Sequence, residues 1–312
     1  KAMRINKGIV LGFMVFFMTV SLSAQRQTLV IGRTTGELEV AKNKKIRVFG
    51  FSSTLSGQVS LPGSPIEMTV GDSLTVDFWN ISQGNPISLF GEGLDFKPVD
   101  EKNIIIKNKP IAHMEHGLYR ILAQKTGTYL YYSPENYPFN LQAGMFGIIT
   151  IREREALETK QADEVVWCSH EIDTNWHTND SMNATNAPTN DSLVLPAYQP
   201  NYFLINGKLA KKIKGLQSVK FRKDSIILRV VNAGLYTHEI EFSIAMHPEI
   251  IFGNTSNLIK TSETTKVVLD SKETMEIQLS LADLKGNESI LYNYVDPKIE
   301  KVMHKVKIPV FY

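Results

Sequence analysis

One ten-residue phrase is written twice in this chain, as Gly71-Asp-Ser-Leu-Thr-Val-Asp-Phe-Trp-Asn80 and, one domain length later, as Lys223-Asp-Ser-Ile-Ile-Leu-Arg-Val-Val-Asn232. In each copy Asp-Ser opens the phrase, an apolar residue falls on every second position (Leu74, Val76, Phe78; Ile226, Leu228, Val230) and an Asn closes it. Successive residues of a strand point to opposite faces, so an apolar period of two predicts a β-strand with one face buried. Repetition at this distance predicts two copies of one domain. The flanking sequence is a series of short β-rich runs cut by Gly and Pro turns. The predicted fold class is therefore all-β, with two tandem Greek-key β-sandwich domains.

Residues 1–24 read as a secretory signal peptide. Arg4 and Lys7 give a positive start, Gly8 to Val20 is uncharged and mostly apolar, and Ser21 to Ala24 supplies small residues. The apolar run is shorter than the about 20 residues that span a bilayer. The expectation is export to the periplasm or cell exterior, with no membrane span in the mature chain. Residues 25–44 alternate weakly and are predicted to be an N-terminal arm or edge strand, 45–152 the first domain, and 153–163 a charged linker. Residues 164–312 form the second domain, whose Val302 to Tyr312 is a terminal strand or strap. Strands are expected at Lys45–Phe51, Ile66–Val70, Ile104–Ile106, Gly117–Leu122, Thr128–Tyr132 and Gly147–Ile151. In the second domain they are expected at Glu164–Cys168, Asn201–Asn206, Ser218–Phe221, Glu239–Ile244, Thr264–Leu269, Thr274–Leu279 and Ile290–Tyr294. The polar run Thr178 to Ser192 reads as a long surface loop.

Charge excludes one class of partner. With 34 basic and 32 acidic residues the net charge is +2 and no long basic tract exists, which speaks against nucleic acid. The single cysteine, Cys168, rules out an intrachain disulfide framework. No P-loop, Gly-x-Ser-x-Gly, Cys-x-x-Cys or His-Glu-x-x-His motif is present.

Thr126-Gly-Thr-Tyr-Leu-Tyr-Tyr-Ser133 followed by Gly144-Met-Phe-Gly-Ile-Ile149 resembles the N-terminal cupredoxin domain of multicopper oxidases. The second copy is similar to the middle domain of a bacterial subgroup of that family. The resemblance lies in Glu171-Ile-Asp-Thr-Asn-Trp-His177, Tyr202-Phe-Leu-Ile-Asn-Gly207 and Leu228-Arg-Val-Val-Asn-Ala-Gly-Leu-Tyr-Thr-His238. It covers residues 45–295 and implies two cupredoxin-like sandwiches. Copper in that family is held by His-x-His pairs, because side chains at i and i+2 of a strand reach the same way. Where the resemblance puts the first pair this chain has Ser88-Leu-Phe90-Gly91, and where it puts the second it has Tyr132-Ser-Pro134. Hydroxyls and phenyl rings do not replace imidazole for copper. A blue-copper centre needs a thiolate beside two His near a domain's end, and Cys168 stands in the first strand of the second domain. The chain has seven His, none in a His-x-His pair. The subgroup carries its copper ligands in a third domain, which has no counterpart among the two copies.

Other candidates are weighed against structural roles. His113 and His116, with Met114 between them, could ligate copper, but two ligands without a third rarely hold a metal. His170 and His177 bracket Glu171 and Asp173, which invites acid–base chemistry, yet carboxylates after a strand commonly brace turns. His238 is a core or interdomain histidine, His247 lies in an exposed turn and His304 in a charged tail. Tyr129 and Tyr131 alternate against Tyr132, which places part of this aromatic group at a surface or domain seam. The loop Tyr132-Ser-Pro-Glu-Asn-Tyr-Pro-Phe139, standing where copper ligands would be, is expected to form a contact surface through Tyr132, Tyr137 and Phe139.

The resulting expectation is a multicopper oxidase-like protein that has lost its copper ligands. It would have no catalytic, cofactor-binding or metal-binding residues and would serve as a non-catalytic binding or structural protein for a protein partner or a copper-bearing subunit. A homo-oligomer is left open. The alternatives are a copper oxidoreductase, with copper at a subunit interface or on a missing third domain, and a copper carrier using His113, Met114 and His116.

Overall fold

The computed structural model describes residues 26–84, 86–155, 163–184, 194–212, 225–284 and 288–310. The first domain contains β1 (Arg26–Ala41), β2 (Lys44–Ser52), β3 (Gly63–Thr69), β4 (Ser73–Asn80), β5 (Phe90–Gly91), β6 (Phe96–Val99), β7 (His116–Leu122), β8 (Gly127–Tyr132), the short helix α1 (Phe139–Ala143) and β9 (Phe146–Arg152). The second contains β10 (Asp163–Ile172), the helix α2 (Asn179–Ala184), β11 (Tyr202–Ile205), β12 (Lys208–Leu209), β13 (Ser225–Asn232), β14 (Thr237–Ser243), β15 (Glu249–Phe252), β16 (Leu258–Lys260), β17 (Thr264–Leu269), β18 (Thr274–Ser280), β19 (Ser289–Asp296) and β20 (Lys301–Pro309).

These strands form four sheets, ordered β2-β1-β4-β7-β6, β3-β9-β8-β5, β12-β11-β10-β13-β18-β15 and β16-β17-β14-β19-β20. Strands distant in sequence lie side by side in each sheet, as Greek-key connection requires. The repeat is visible as topology. β4 pairs in parallel with β1 and antiparallel with β7, while β13 pairs in parallel with β10 and antiparallel with β18. The closing asparagines explain the last letter of the phrase. Both are fully buried, Asn80 Oδ1 accepts from Ser82 N and Asn232 Oδ1 from Gly234 N, each at 2.9 Å. Their amides donate to Ile111 O at 2.8 Å and to Tyr236 O at 2.8 Å. An amide here satisfies the backbone where each strand leaves its sheet.

Side-chain alternation sorts the apolar residues into three interiors. Val76, Phe78, Tyr119, Tyr129, Tyr131 and Ile149 fill the first sandwich, and Trp167, Leu228, Val230, Phe242, Ile277 and Tyr292 fill the second. The third interior lies between the domains, where Leu130, Tyr132, Phe146 and Ile148 meet Cys168, Ile172, Leu204 and Val231. Every residue of β8 is buried, because one face lines its own sandwich and the other lines the seam. This accounts for the split between Tyr129 and Tyr131 on one side and Tyr132 on the other.

The structure corrects several boundaries. Residues 26–41 are not an arm: β1 lies between β2 and β4 inside the first sheet. Arg152 and Asp163 belong to strands, and residues 156–162 of the expected linker lie outside the described residues. Ile104–Ile106 forms no strand, only an isolated bridge from Ile105 to Val99. Of the expected Thr178–Ser192 loop, residues 179–184 are helical and 185–192 lie outside the described residues, as do 1–25 and 218–221. The terminal strap is β20, paired antiparallel with β19. Among the described residues no helix is long and apolar enough to cross a membrane.

Candidate functional site

The two segments in which the resemblance places paired imidazoles, 88–91 and 132–134, do come together. β5 pairs with β8 so that Phe90 lies opposite Tyr132, and the two rings meet edge to face at 5.7 Å. Ser88 donates from both its backbone N–H and its hydroxyl to the Glu135 carboxylate, and Ser133 Oγ donates to the same carboxylate at 2.8 Å. From the second domain Lys272 sets its ammonium 5.7 Å from the Tyr132 ring and 5.2 Å from that of Tyr137. It also reaches Glu92 at 3.7 Å. The donor set here is hydroxyl, phenol and carboxylate, already engaged with one another. It does not fit copper, which favours imidazole and thiolate.

The expected contact surface needs correction. Phe139 is completely buried, packed between Phe49 at 5.7 Å and Trp176 of the second domain at 6.2 Å. Tyr132 is 5% exposed and belongs to the seam interior. Of the three, only Tyr137 is open to solvent, half-exposed beside Lys272. The loop is a contact surface within the chain, because the second domain covers the aromatic face that the first domain would otherwise present to water.

Buried polar residues form two sets, one across the seam and one inside the second domain. In the first, Arg229 on β13 donates to Glu164 Oε1 at 2.7 Å and to Glu276 on β18, while Thr128 of β8 donates to Glu276 at 2.7 Å. Arg152 at the end of β9 holds Glu164 through two guanidinium nitrogens, at 2.9 and 2.7 Å. Burial alone would raise the Glu164 carboxyl, but the hydrogen bonds from Arg152 and Arg229 outweigh it and hold the group below its ordinary value. In the second set, Glu171 accepts from Leu235 N at 2.9 Å and contacts His238 Nε2, whose Nδ1 lies 2.7 Å from Ser169 Oγ and 3.0 Å from Tyr292 OH. Glu171, His238 and Ser169 are all fully buried. Asp173 accepts from Asn175 N at 2.9 Å and Gln199 N at 2.7 Å, so this carboxylate braces a turn.

The remaining histidines scatter. His113 contacts Ser82 O, whereas His116 bonds Asp77 at 2.8 Å and stacks on Trp79 at 4.5 Å. Their ring nitrogens are thus directed to different partners. His177 Nδ1 lies 2.6 Å from Arg47 O and its Nε2 3.2 Å from Gln142 Oε1. His170 touches the Phe146 ring at 4.9 Å and is buried with neither ring nitrogen hydrogen-bonded. Desolvation is the main cause that lowers His170 to about 3 and His177 to about 4, so both are neutral at ordinary pH. His247 pairs with Asp283 at 2.9 Å on the surface, and His304 stacks on Phe203 at 4.4 Å. Burial pushes the Cys168 thiol up, away from the thiolate a metal would need. Among the described residues no group of three or more His, Cys, Asp or Glu is placed to hold a metal ion. Beside the seam, a cleft of about 430 Å³ is walled by Pro138, Trp176, Tyr198, Leu235 and Tyr236.

No motif or periodicity in the sequence marks Arg229, Glu276, Glu135 or Lys272 as site residues. Only Arg229 carries a local signal: an Arg inside an otherwise apolar repeat strand needs a buried acceptor or a second packed face.

Comparison with known proteins gives a consistent relationship. The multicopper oxidase family model matches residues 43–156. No curated protein matches the chain by sequence. Among solved structures, a blue copper oxidase from Nitrosomonas europaea superposes with a TM-score of 0.63 at 15% identity, covering 91% of this chain and 86% of that one. The multicopper oxidase mgLAC gives 0.61 at 15% identity, covering 93% and 86%. A copper nitrite reductase from Nitrosomonas europaea gives 0.58 at 17% identity, covering 91% and 94%. At these identities the superpositions speak for the fold, while the family match speaks for the sequence of the first sandwich. The chain is multicopper oxidase-like, built as two cupredoxin-type sandwiches in tandem.

Proposed function

We propose that this is an exported multicopper oxidase-like protein whose copper ligands have been replaced, working as a non-catalytic binding or structural protein outside the cytoplasm. The single observation that carries this reading is the state of the two converging segments. Phe90 and Tyr132 pack against each other, and Ser88 is tied through Glu135 to Ser133. A group that kept copper would have little use for a half-buried carboxylate knot that consumes the local hydrogen-bonding capacity. The export part rests on the character of residues 1–24. The partner this reading calls for is another protein, such as a copper-bearing subunit, because the chain's own donor chemistry does not suit a redox metal.

The test is direct. Copper(II) is titrated into the purified chain, and bound metal is measured by elemental analysis alongside visible absorption. The expected result is substoichiometric copper and no intense band in the red. Stoichiometric copper with such a band would reject the reading in favour of a copper oxidoreductase, including one that assembles its site between subunits. Stoichiometric copper without the band, lost on replacing His113 and His116 by Ala, would reject it in favour of a copper carrier.

A further inference from the structure

The loop between β6 and β7 has a feature that the seam does not use. Residues 101–110 are exposed without interruption, and at their centre stand three consecutive isoleucines, Ile104, Ile105 and Ile106, exposed by 58%, 52% and 43%. Single exposed apolar residues are common on protein surfaces, but three adjoining branched side chains on one loop are costly in water. The loop holds them there by its own bonding. Asp100 accepts from Lys102 N at 3.0 Å and Ile104 N at 2.8 Å, and its own N–H donates to Ile104 O at 2.9 Å. Ile106 N donates to Pro98 O at 3.0 Å, and Asn103 takes the left-handed conformation at φ 62° that turns the chain.

Around the isoleucines sit Lys102, Lys107 and Lys109, against the two acidic residues Asp100 and Glu101. The combination is an apolar tip inside a cationic collar. We infer that the Ile104–Ile106 loop is a membrane-docking element that inserts its isoleucines among the acyl chains of an anionic lipid surface while the three lysines meet the headgroups.

Three observations favour lipid over protein. The tip is a short, outward-facing loop, whereas a stable protein contact buries about 800 Å² on each partner; hydrocarbon accommodates a narrow apolar tip without shape matching. The backbone groups of Ile104 and the N–H of Ile106 are already satisfied inside the protein, so insertion strands fewer polar groups in the acyl region. The excess of lysine on the run is complementary to an anionic headgroup layer, and long lysine stems can lie along the apolar boundary with the ammonium in water. No enzymatic step is involved, and the inference holds whether or not the chain binds copper.

The test uses the chain from Gln25 onward, which keeps every described strand, sedimented with vesicles of phosphatidylcholine alone or mixed with phosphatidylglycerol. Two variants are compared, I104S/I105S/I106S and K102Q/K107Q/K109Q, all at exposed positions; circular dichroism and a thermal melt verify that each folds. The expected result is binding to the mixed vesicles only, weakened by salt, and reduced about tenfold or more by either variant. Equal binding by the serine variant, or no binding to anionic vesicles at low ionic strength, would overturn the inference. A self-association that the serine variant abolishes, with vesicle binding absent, would instead identify the loop as a protein contact and overturn it too.

Discussion

Arg229 links the two domains through buried charge. Its guanidinium, almost entirely removed from water, sits between Glu164 and Glu276 and touches Thr128 across the seam. A buried ion pair is worth little over a well-packed apolar pair, but breaking one strands the other charge. Replacing Arg229 by Met should therefore cost about 3–5 kcal/mol of stability, read as a lower urea midpoint. The double variant R229M/E276L should recover most of that loss, because no unpaired carboxylate remains in the interior. If R229M alone unfolds at the same urea concentration as the unaltered chain, the network does not hold the domains in the way its geometry implies. Arg229 also marks what one sequence can tell. It stands out from its strand as a charge among aliphatics, yet its acceptors Glu164 and Glu276 lie in other strands, and no local pattern links them.

At the level of elements, the Tyr132–Phe139 loop with α1 separates surface from seam within a few residues. Phe139 fills the space between Phe49 and Trp176. Truncation to Ala leaves a cavity there, and the expected cost is about 3–5 kcal/mol in chemical denaturation. Tyr137, with half its surface in water, should lose less than about 1 kcal/mol on the same substitution, since only a partly exposed ring and its contact with Lys272 disappear. Similar losses for the two would mean that the loop is equally packed along its length. The strands themselves were largely legible because period two is local: β17 coincides with the run Thr264–Leu269, and both copies of the repeated phrase form the central strands β4 and β13. β1 was not legible as a sheet strand. Its pairing with β2 shifts register twice, between Arg33 and Gly36 and between Glu39 and Ala41, and each shift changes which residues face inward. β-Branched residues favour sheets, so the isoleucine run predicts a strand, whereas the structure pairs only Ile105 and leaves the tip open. At the candidate site, Ser88, Phe90, Tyr132 and Pro134 are legible in the sequence as positions without an imidazole. Their partners Glu135 and Lys272 are not, since hydrogen bonds between loops and cation–ring contacts across a seam leave no periodicity.

At the scale of the whole molecule, the seam is a third interior rather than a linker, and its histidines tie the stability of both domains to pH. His170 and His177 are buried and lowered to about 3 and about 4, chiefly by desolvation. In the unfolded chain each imidazole takes its proton near pH 6.5. Between about pH 6.5 and pH 4 the unfolded state therefore binds up to two more protons than the native state, and acid favours unfolding. The slope approaches about 1.4 kcal/mol per pH unit for each histidine, so the two together approach about 2.7. Stability from this source is fully present above the unfolded value and is lost as pH falls toward the native ones. Glu164 acts in the same direction at lower pH, because its lowered carboxyl contributes above the unfolded carboxylate range and its contribution fades as acid protonates it. Urea midpoints measured from pH 7.5 down to 4.5 should be nearly level at first and then fall. His170 offers the cleaner test, since neither ring nitrogen has a hydrogen-bonding partner and the ring already packs against Phe146. His170→Phe should leave the structure intact at pH 7.5 and remove about half of the slope between pH 6.5 and 4.5. A variant with the slope of the unaltered chain would show that His170 is protonated in the native state, and with it that the seam admits water. Because the seam interior is shared, the signals of aromatic residues in both sandwiches should change together as acid opens it, giving one transition in near-ultraviolet circular dichroism and in tryptophan fluorescence.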